Sequence, residues 1–313
     1  MTSLNLYTST TGGGKRDIMR AFGDGAKLHD VEVNDIDRHQ YVKSNFAMIF
    51  AYKSEGTDTP NHKFREEVVK KHNDNIFFVD SNVLKSYEND IRYFRFPKCS
   101  IHPHEANYMI DGDKSRNNQV IKDMNIEIKP WRTEVRDNDY ALICLQKATD
   151  STLIPMHDTH GKYRNWLMIV INQIRNVYPY LPIVIRPHLK TKLGSYRNIL
   201  GNIAGVTLSK TWEDRRFHEG GKGLQEDLDG ARFIVSYNSN VLTQAVLEGI
   251  PGICWDIRSA ASPACLDPSQ LSNLEDVHEI DRTQWLHDLG YTQWSRAEIR
   301  DGRAWRHLNK YGF

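Results

Sequence analysis

Cysteine pairs, an excess of either charge and long apolar runs are all missing from this sequence. Its 4 cysteines include no Cys-x-x-Cys pair, which argues against a disulfide framework or a zinc ribbon and favours a reducing compartment. Lysine and arginine total 41 against 40 acidic residues, so a strongly basic nucleic-acid coat is excluded, although a local basic groove is not. No apolar run approaches the roughly 18–20 residues that span a bilayer, and the N-terminus has no apolar signal segment. We therefore expect a cytoplasmic protein without a membrane partner.

Short apolar runs alternate with helical patterns along most of the chain. The 313 residues, 39% of them hydrophobic, suffice for two domains of about 150 residues each. The alternation predicts open parallel α/β sheets in both halves. We predict an N-terminal Rossmann-like domain over 1–135, a C-terminal one over 136–280, and C-terminal helices over 281–313 that pack back across the domains. A ligand cleft is expected where the carboxyl ends of the two sheets face each other.

A glycine-rich turn follows the first apolar run and precedes a helical pattern. In Gly12-Gly13-Gly14-Lys15 the glycines let backbone N–H groups approach a ligand closely. The turn does not match the P-loop pattern, since Arg16 follows the lysine, nor Gly-x-Gly-x-x-Gly, since Asp17 takes the last place. Nucleotide hydrolysis of the P-loop type and NAD binding are therefore disfavoured. The turn is either a loop that lines the active cleft or a flexible connection.

Polar side chains follow two predicted strands of the second half. Arg186-Pro187-His188 ends one of them, and an arginine fork beside a histidine donor suits phosphate. Asn238 and Ser239 stand where another strand passes into a helix, whose N-terminus favours a diphosphate. The alternatives are an ordinary loop after a strand and a capped helix without a ligand.

These strand exits resemble the C-terminal domain of GT-B-type glycosyltransferases, which use nucleotide sugars. That family commonly has Glu-Ala in the helix and a later Gly-x-Pro. Here Gln244 takes the glutamate place, Glu248 is a nearby substitute, and Gly249-Ile250-Pro251 follows. Segments 128–132, 143–146 and 293–305 are similar to glycosyltransferase-like proteins of tailed bacteriophages.

The resemblance implies two doubly wound Rossmann-like α/β domains facing across a cleft, with C-terminal helices. It also implies a UDP-linked sugar donor as substrate and no obligatory cofactor. The predicted donor-binding residues are Gly13, Gly14, Lys15, Gln146, Arg186, His188, Tyr237, Asn238, Ser239, Gln244 and Glu248.

By resemblance to phage enzymes that glycosylate modified DNA bases, the favoured acceptor is 5-hydroxymethylcytosine in double-stranded DNA, inside an infected host cell. Arg92, Tyr93, Arg95 and Lys98 interleave charge with rings, a pattern that suits phosphate contact and base stacking. The same residues would equally suit a solvated strand edge. Two other functions stay open: transfer to a surface polysaccharide or lipid-linked glycan, and a non-catalytic nucleotide-sugar-binding module.

An acidic residue at a strand end of the N-terminal domain is expected to act as catalytic base toward the acceptor hydroxyl. Asp80 is the first candidate, because it would lie beside the glycine turn if the strand order reverses there. Asp17 and Glu55 come next, and each could instead be a helix cap or a surface carboxylate. No metal site is predicted, because the histidine pairs lack ligand spacing and Asp111-Gly112-Asp113 reads as a turn.

Overall fold

The computed structural model describes residues 1–52, 59–72, 75–84, 93–102, 112–147, 150–153, 162–189, 191, 203–213 and 222–311. The predicted site residues Glu55 and Arg92 lie outside these ranges. The chain divides into two compact units. Unit 1 consists of Met1–Val83, Asp90–Asp123 and Leu286–Phe313, and unit 2 of Leu84–Asn89 and Met124–Trp285.

Short strands and helices alternate through both units. The strands are β1 Thr2–Leu6, β2 Val31–Asp35, β3 Phe46–Phe50, β4 Ile76–Ser81, β5 Tyr93–Arg95, β6 Tyr140–Cys144, β7 Ile183–Arg186, β8 Val206–Leu208, β9 Ala231–Ser236, β10 Gly252–Cys254 and β11 Trp294–Ser295. The helices are α1 Gly14–Lys27, α2 Pro60–His72, α3 Lys114–Met124, α4 Lys162–Val177, α5 Lys210–Glu213, α6 Lys222–Asp229, α7 Val241–Leu247, α8 Arg282–Gly290, α9 Arg296–Arg300 and α10 Arg303–Tyr311.

The sheet of unit 1 has the strand order β11-β5-β4-β3-β1-β2. Strands β1 to β4 pair in parallel, and β5 and β11 extend the β4 edge in antiparallel fashion. The chain passes from β1 to β2 on one side and then to β3 on the other, so the order reverses between β1 and β3. Asp80 lies on β4, one strand further along, so the reversal is not at the strand where the sequence suggested it.

The last helices of the chain complete the core of unit 1. Ile18 and Phe22 of α1 pack with Leu6 of the sheet, and Ile299 and Trp305 of the C-terminal helices join the same cluster. This burial holds α9 and α10 against α1 and the sheet of unit 1. Apolar side chains three and four residues apart make this possible, because they share one face of a helix.

Glycines let the C-terminal helices approach α1 closely. A Cβ added at Gly25 of α1 would lie 2.1 Å from the carbonyl oxygen of Ile299. Gly302, between α9 and α10, has φ +80° and lies against Gly25 and His29. The ring Nε2 of His29 is 3.2 Å from the Gly302 carbonyl oxygen. Side chains at either glycine would push the backbones apart.

The sheet of unit 2 has the order β10-β9-β6-β7-β8, with all strands parallel. Helix α4 covers one face through Trp166 and Val170, and helices α6 and α7 cover the other through Leu228 and Leu242. Strands covered on both faces read as continuous apolar runs, as β6 does from Tyr140 to Cys144. The strand order of this sheet reverses between β6 and β9.

A left-handed turn closes α7 against the segment that enters unit 2. Gly249 has φ +74°, and a Cβ there would lie 1.8 Å from the Pro130 carbonyl oxygen. The Lys129 N–H donates to the Leu247 carbonyl at 2.8 Å, and the Arg132 N–H to the Gly249 carbonyl at 2.6 Å. The Gly-Ile-Pro motif therefore serves the packing of unit 2. Within the described ranges, no helix has the length and apolar character needed to cross a membrane.

Candidate functional site

Two buried amides interlock at the reversal point of the unit 2 sheet. Gln146 follows β6 and Asn238 follows β9, and their exposed fractions are 7% and 8%. The Gln146 Nε2 donates to the Asn238 Oδ1 at 2.7 Å, and the Asn238 backbone N–H donates to the Gln146 Oε1 at 3.2 Å. Parallel strands bring their carboxyl ends to one edge, so residues 92 positions apart meet there. The structure thus brings two predicted donor-binding residues together.

Asp256, just after β10, extends this network to a third strand. The Asn238 Nδ2 donates to the Asp256 Oδ2 at 2.9 Å. Arg258 donates to both carboxylate oxygens, Nε to Oδ1 at 2.9 Å and Nη2 to Oδ2 at 2.8 Å. Burial alone would raise the pKa of Asp256, but the hydrogen bonds from Arg258 and Asn238 outweigh it and lower that pKa. An ionised, buried carboxylate therefore orients a guanidinium whose side chain is 25% exposed.

Thr152 closes the network from the loop that follows β6. Its hydroxyl accepts from the Gln146 Nε2 at 3.0 Å, and its carbonyl accepts from the Asn238 Nδ2 at 3.1 Å. Thr152, Asp256 and Arg258 were missed from the sequence. Asn238 was predicted because polar residues just after a buried strand face the ligand end of the sheet. Asp256-Ile257-Arg258 follows the apolar run that ends at Trp255, so the same argument would have found Asp256 and Arg258.

Aromatic side chains pack beside this network, at the carboxyl ends of the unit 2 strands. Tyr237 and Trp255 are half-buried and meet the buried Trp166 edge to face, at 5.7 and 5.9 Å between ring centroids. Trp166 stacks on Tyr163 at 5.2 Å, and the Tyr163 hydroxyl accepts from the Gln146 N–H at 2.8 Å. Two partly exposed rings thus lie next to the residues that hold Arg258 in place, close enough for Arg258 to act on the Tyr237 hydroxyl electrostatically.

The start of α7 is partly satisfied by the chain itself. The Val241 N–H donates to the Ser239 Oγ at 3.3 Å, and Asn240 occupies the cap position. Glu248 lies at the other end of this helix and forms an ion pair with Lys129 at 2.6 Å. Helix α7 begins near Asn238, at the carboxyl ends of the strands, and leads away from them. Glu248, after its last residue, is therefore remote from Asn238, and Gln244 lies between the two. The structure does not bring Glu248 to the site.

Arg186 and His188 lie at the end of β7. Arg186 is 7% exposed, forms an ion pair with Asp227, and donates to the Thr211 hydroxyl at 2.6 Å. This buried pair ties β7 to α6. His188 is half-buried, and its carbonyl accepts from the Trp212 indole at 3.3 Å. Phosphate binding by Arg186 and His188 stays a prediction, and the Arg186 charge is already balanced by Asp227.

The glycine turn of unit 1 is open. Gly12, Gly13 and Gly14 are exposed, and a Cβ at any of them would meet nothing within 4 Å. Gly13 has φ +54°, which favours glycine. The Lys15 ammonium lies 4.8 Å from the centre of the Phe50 ring, at the end of β3. This turn sits at the reversal point of its sheet, where α/β sheets bind ligands. Asp17 is exposed in the first turn of α1.

Asp80 and Arg95 form an ion pair across β4 and β5. Arg95 is 4% exposed, and Asp80 also accepts from the Ser81 N–H at 2.7 Å. The candidate base thus has one oxygen on an arginine and the other on the backbone.

The predicted DNA-contacting run is buried where it is described. Tyr93 is 3% exposed and donates to the Asp123 Oδ2 at 2.8 Å, and burial raises its pKa. Lys98 is 4% exposed, lies 5.3 Å from the Phe46 ring centre, and has its pKa lowered by burial. Arg95 is buried as well. These side chains therefore present no surface on which a base could stack, and the sequence interpretation is corrected here.

Among the residues that the structure describes, no group of three His, Cys, Asp or Glu side chains is arranged to hold a metal ion.

No family model matches the chain, and no curated protein matches it in sequence. Solved structures do resemble it. KpsC β-Kdo 2,4-transferase of Thermosulfurimonas dismutans aligns at TM-score 0.50 and 10% identity, over 93% of this chain and 90% of that one. The β-Kdo 2,7-transferase of the same protein aligns at TM-score 0.48 and 11% identity, over 97% of this chain and 99% of that one. UDP-GlcNAc 2-epimerase of Methanocaldococcus jannaschii gives 0.37 and 11%, over 99% of both chains. The likeness at TM-score 0.50, together with the two Rossmann-like α/β units, shows a fold of the GT-B type.

Proposed function

We propose that the chain is a glycosyltransferase that moves a sugar from a UDP-linked donor to a hydroxyl acceptor. The observation that carries the proposal is the buried amide and carboxylate network at the reversal point of the unit 2 sheet. Ligands of open α/β sheets bind at such points. Polar groups this buried are costly unless fixed in place, and here Gln146, Asn238 and Asp256 fix one another.

The network supports binding of a nucleotide diphosphate. Arg258, oriented by Asp256, would bind the diphosphate and neutralise the charge that develops on the leaving group. The half-buried rings of Tyr237 and Trp255 would receive the flat base or the sugar ring. Arg186, His188, Ser239 and Gln244 remain candidates for the outer part of the donor.

Unit 1 would supply the acceptor side. The open glycine turn gives a hydroxyl-bearing substrate access to backbone N–H groups at the reversal point of that sheet. Asp80 is the first candidate for the base that removes the hydroxyl proton, since it lies at a carboxyl strand end. Asp17 is the alternative among the described residues.

The first acceptor to test is 5-hydroxymethylcytosine in DNA. A saccharide hydroxyl is the second, because two structures of the same fold are named as Kdo transferases. A module that binds the donor without turnover is the third candidate, since the unit 2 network by itself needs no base.

A donor and acceptor screen separates these functions. The purified protein is incubated with UDP- and CMP-linked sugars, and with duplexes that contain cytosine or 5-hydroxymethylcytosine. Digested nucleosides are analysed by mass spectrometry, and released nucleotide is measured in parallel. A sugar mass gained only on the modified base supports DNA glycosylation. Release without a DNA product means that the sugar passes to water and that DNA is not the acceptor, which favours a saccharide acceptor or hydrolysis. Tight donor binding without release contradicts the enzyme.

A further inference from the structure

The exposed face of the two C-terminal helices concentrates positive charge. Helices α9 and α10 direct Ile299, Trp305 and Leu308 into the core of unit 1, so the opposite side of each helix faces solvent. The exposed residues of this stretch are Arg296, Ala297, Arg300, Asp301, Arg303, Arg306, Asn309 and Lys310. Five are basic and one is acidic, whereas the whole chain has a formal net charge of +1.

The five cations form rows along the helices. Arg296 and Arg300 are four residues apart in α9, and Arg303, Arg306 and Lys310 are spaced by three and four residues in α10. Such spacings place side chains on one side of a helix, and at 1.5 Å per residue the α10 row is roughly 10 Å long. We call these five residues the basic helix face.

The acidic residues of the segment do not cancel this charge. Glu298 is buried, forms an ion pair with Arg116, and accepts from the Ser295 hydroxyl at 2.8 Å. Asp301 pairs with its neighbour Arg303 at 2.7 Å. Asp301 also attracts Arg306, and a Glu298 carboxylate oxygen lies 3.7 Å from the Arg303 guanidinium. One exposed carboxylate against five exposed cations still leaves an excess of positive charge to attract an anionic partner.

We propose that the basic helix face docks the phosphate backbone of duplex DNA. Contact with a duplex backbone requires charge in a row and no base stacking, and a guanidinium can grip a phosphate with two N–H groups. A glycan chain would favour aromatic rings, but Trp294 and Trp305 of this segment are buried in the core. The docking surface rests on the proposed function, because DNA binding serves the transfer only if DNA carries the acceptor. It deepens that function by naming the polymer that presents the acceptor.

Direct binding without any donor tests the docking. Anisotropy of a labelled 20-bp duplex is titrated at several NaCl concentrations, with wild type and with the triple variant Arg296→Gln, Arg300→Gln, Arg306→Gln. Loss of three phosphate contacts should flatten the slope of log K against log salt by about 2.7 and weaken binding about tenfold or more at low salt. The matched control Arg38→Gln, Lys70→Gln, Arg164→Gln removes the same charge from exposed positions elsewhere and should keep the wild-type slope.

Equal losses in the two triple variants, or an unchanged slope in the first, overturn the docking surface. Stronger competition by polygalacturonate than by unlabelled duplex at equal charge also overturns it, in favour of a glycan. Nucleotide release from the donor without acceptor should be the same in wild type and the first triple variant. Intact release with no duplex binding therefore rejects the docking alone, whereas duplex binding without transfer or release rejects the proposed function alone.

Discussion

At its reversal point, between β6 and β9, unit 2 holds buried amides that bind each other, whereas unit 1 holds an open glycine turn between β1 and β3. Gln146 and Asn238 are under a tenth exposed, and Gly12 and Gly14 are exposed with empty space around them. The same sheet position is thus rigid in one unit and accessible in the other. A site fixed before its ligand arrives suits one recurring ligand, such as a nucleotide. An open turn suits a substrate presented on a larger molecule.

The sharpest test asks whether chemistry and donor binding separate between the units. Asp80→Asn should lower kcat by about 10²–10⁴ through loss of the base, with the donor Kd unchanged. Steady-state kinetics and calorimetric donor titration measure the two effects. Asp17→Asn is the control and should keep its kcat. A large loss in that variant with normal turnover of Asp80→Asn would move the base to α1.

Removing the Asp256 charge should disrupt the buried hydrogen-bond network of unit 2. In Asp256→Asn the Arg258 guanidinium loses its anion, and breaking a largely buried pair costs about 3 kcal/mol or more. We expect a lower urea midpoint and a donor Kd raised at least tenfold. Asp276→Asn, on the same unit, serves as the control. A normal donor Kd in Asp256→Asn would show that the network has only a structural role.

Alanine substitutions at one glycine in each unit test how well each position accepts a side chain. Gly249→Ala forces a side chain into left-handed backbone and against the Pro130 carbonyl, which should destabilise the protein by about 2–4 kcal/mol. Gly12→Ala meets open space and should leave the free energy of unfolding within about 0.5 kcal/mol. Denaturant titration measures both. A large loss for Gly12→Ala would mean that the turn is not open in solution.

A smaller effect is expected when one amide is removed. Gln146→Ala leaves the buried Asn238 backbone N–H without its partner and the Asn238 Oδ1 with the Thr152 hydroxyl alone. This loss should cost about 1–3 kcal/mol, with a raised donor KM and little change in kcat. Gln119→Ala, at an exposed position of α3, should change neither quantity. A kcat loss larger than the KM change would place Gln146 in the chemical step.

The smallest effect concerns pH. The pKa of Asp256 in the folded protein is below its ordinary 3.8, so its stabilisation is complete above that value and is lost as the pH falls through the lower one. Wild type should therefore lose more stability than Asp256→Asn as the pH is lowered below about 4. Thermal melts from pH 5 to pH 2.5 measure this. Parallel curves for the two proteins would contradict it.

The sequence predicted what depends on local pattern. Apolar runs predicted the strands that end before Pro187 and Asn238, and Asn238 was found as a polar residue at a strand exit, because a buried parallel strand and its polar exit are contiguous in the chain. Gln146 was predicted only through the resemblance to glycosyltransferase-like proteins. The pairing of β5 with β11 could not be predicted, since Phe94 and Trp294 lie 200 positions apart and neither segment exceeds three residues. Tyr93 instead bonds to Asp123 of α3 and Arg95 pairs with Asp80 of β4, contacts between distant segments that a local pattern typical of a nucleic-acid surface does not show.

The closure of unit 1 by α9 and α10 has a consequence for synthesis on the ribosome. The core around Leu6 and Phe22 acquires Trp305 only after the whole of unit 2 has been translated, because unit 2 lies between these residues in the sequence. Unit 2, almost entirely one continuous stretch from Met124 to Trp285, has all its strands earlier. Unit 2 can therefore fold before unit 1 is complete. Until α9 and α10 are synthesised, the sheet of unit 1 has apolar side chains that nothing covers. A stalled or shortened chain would expose that sheet to chaperones and proteases.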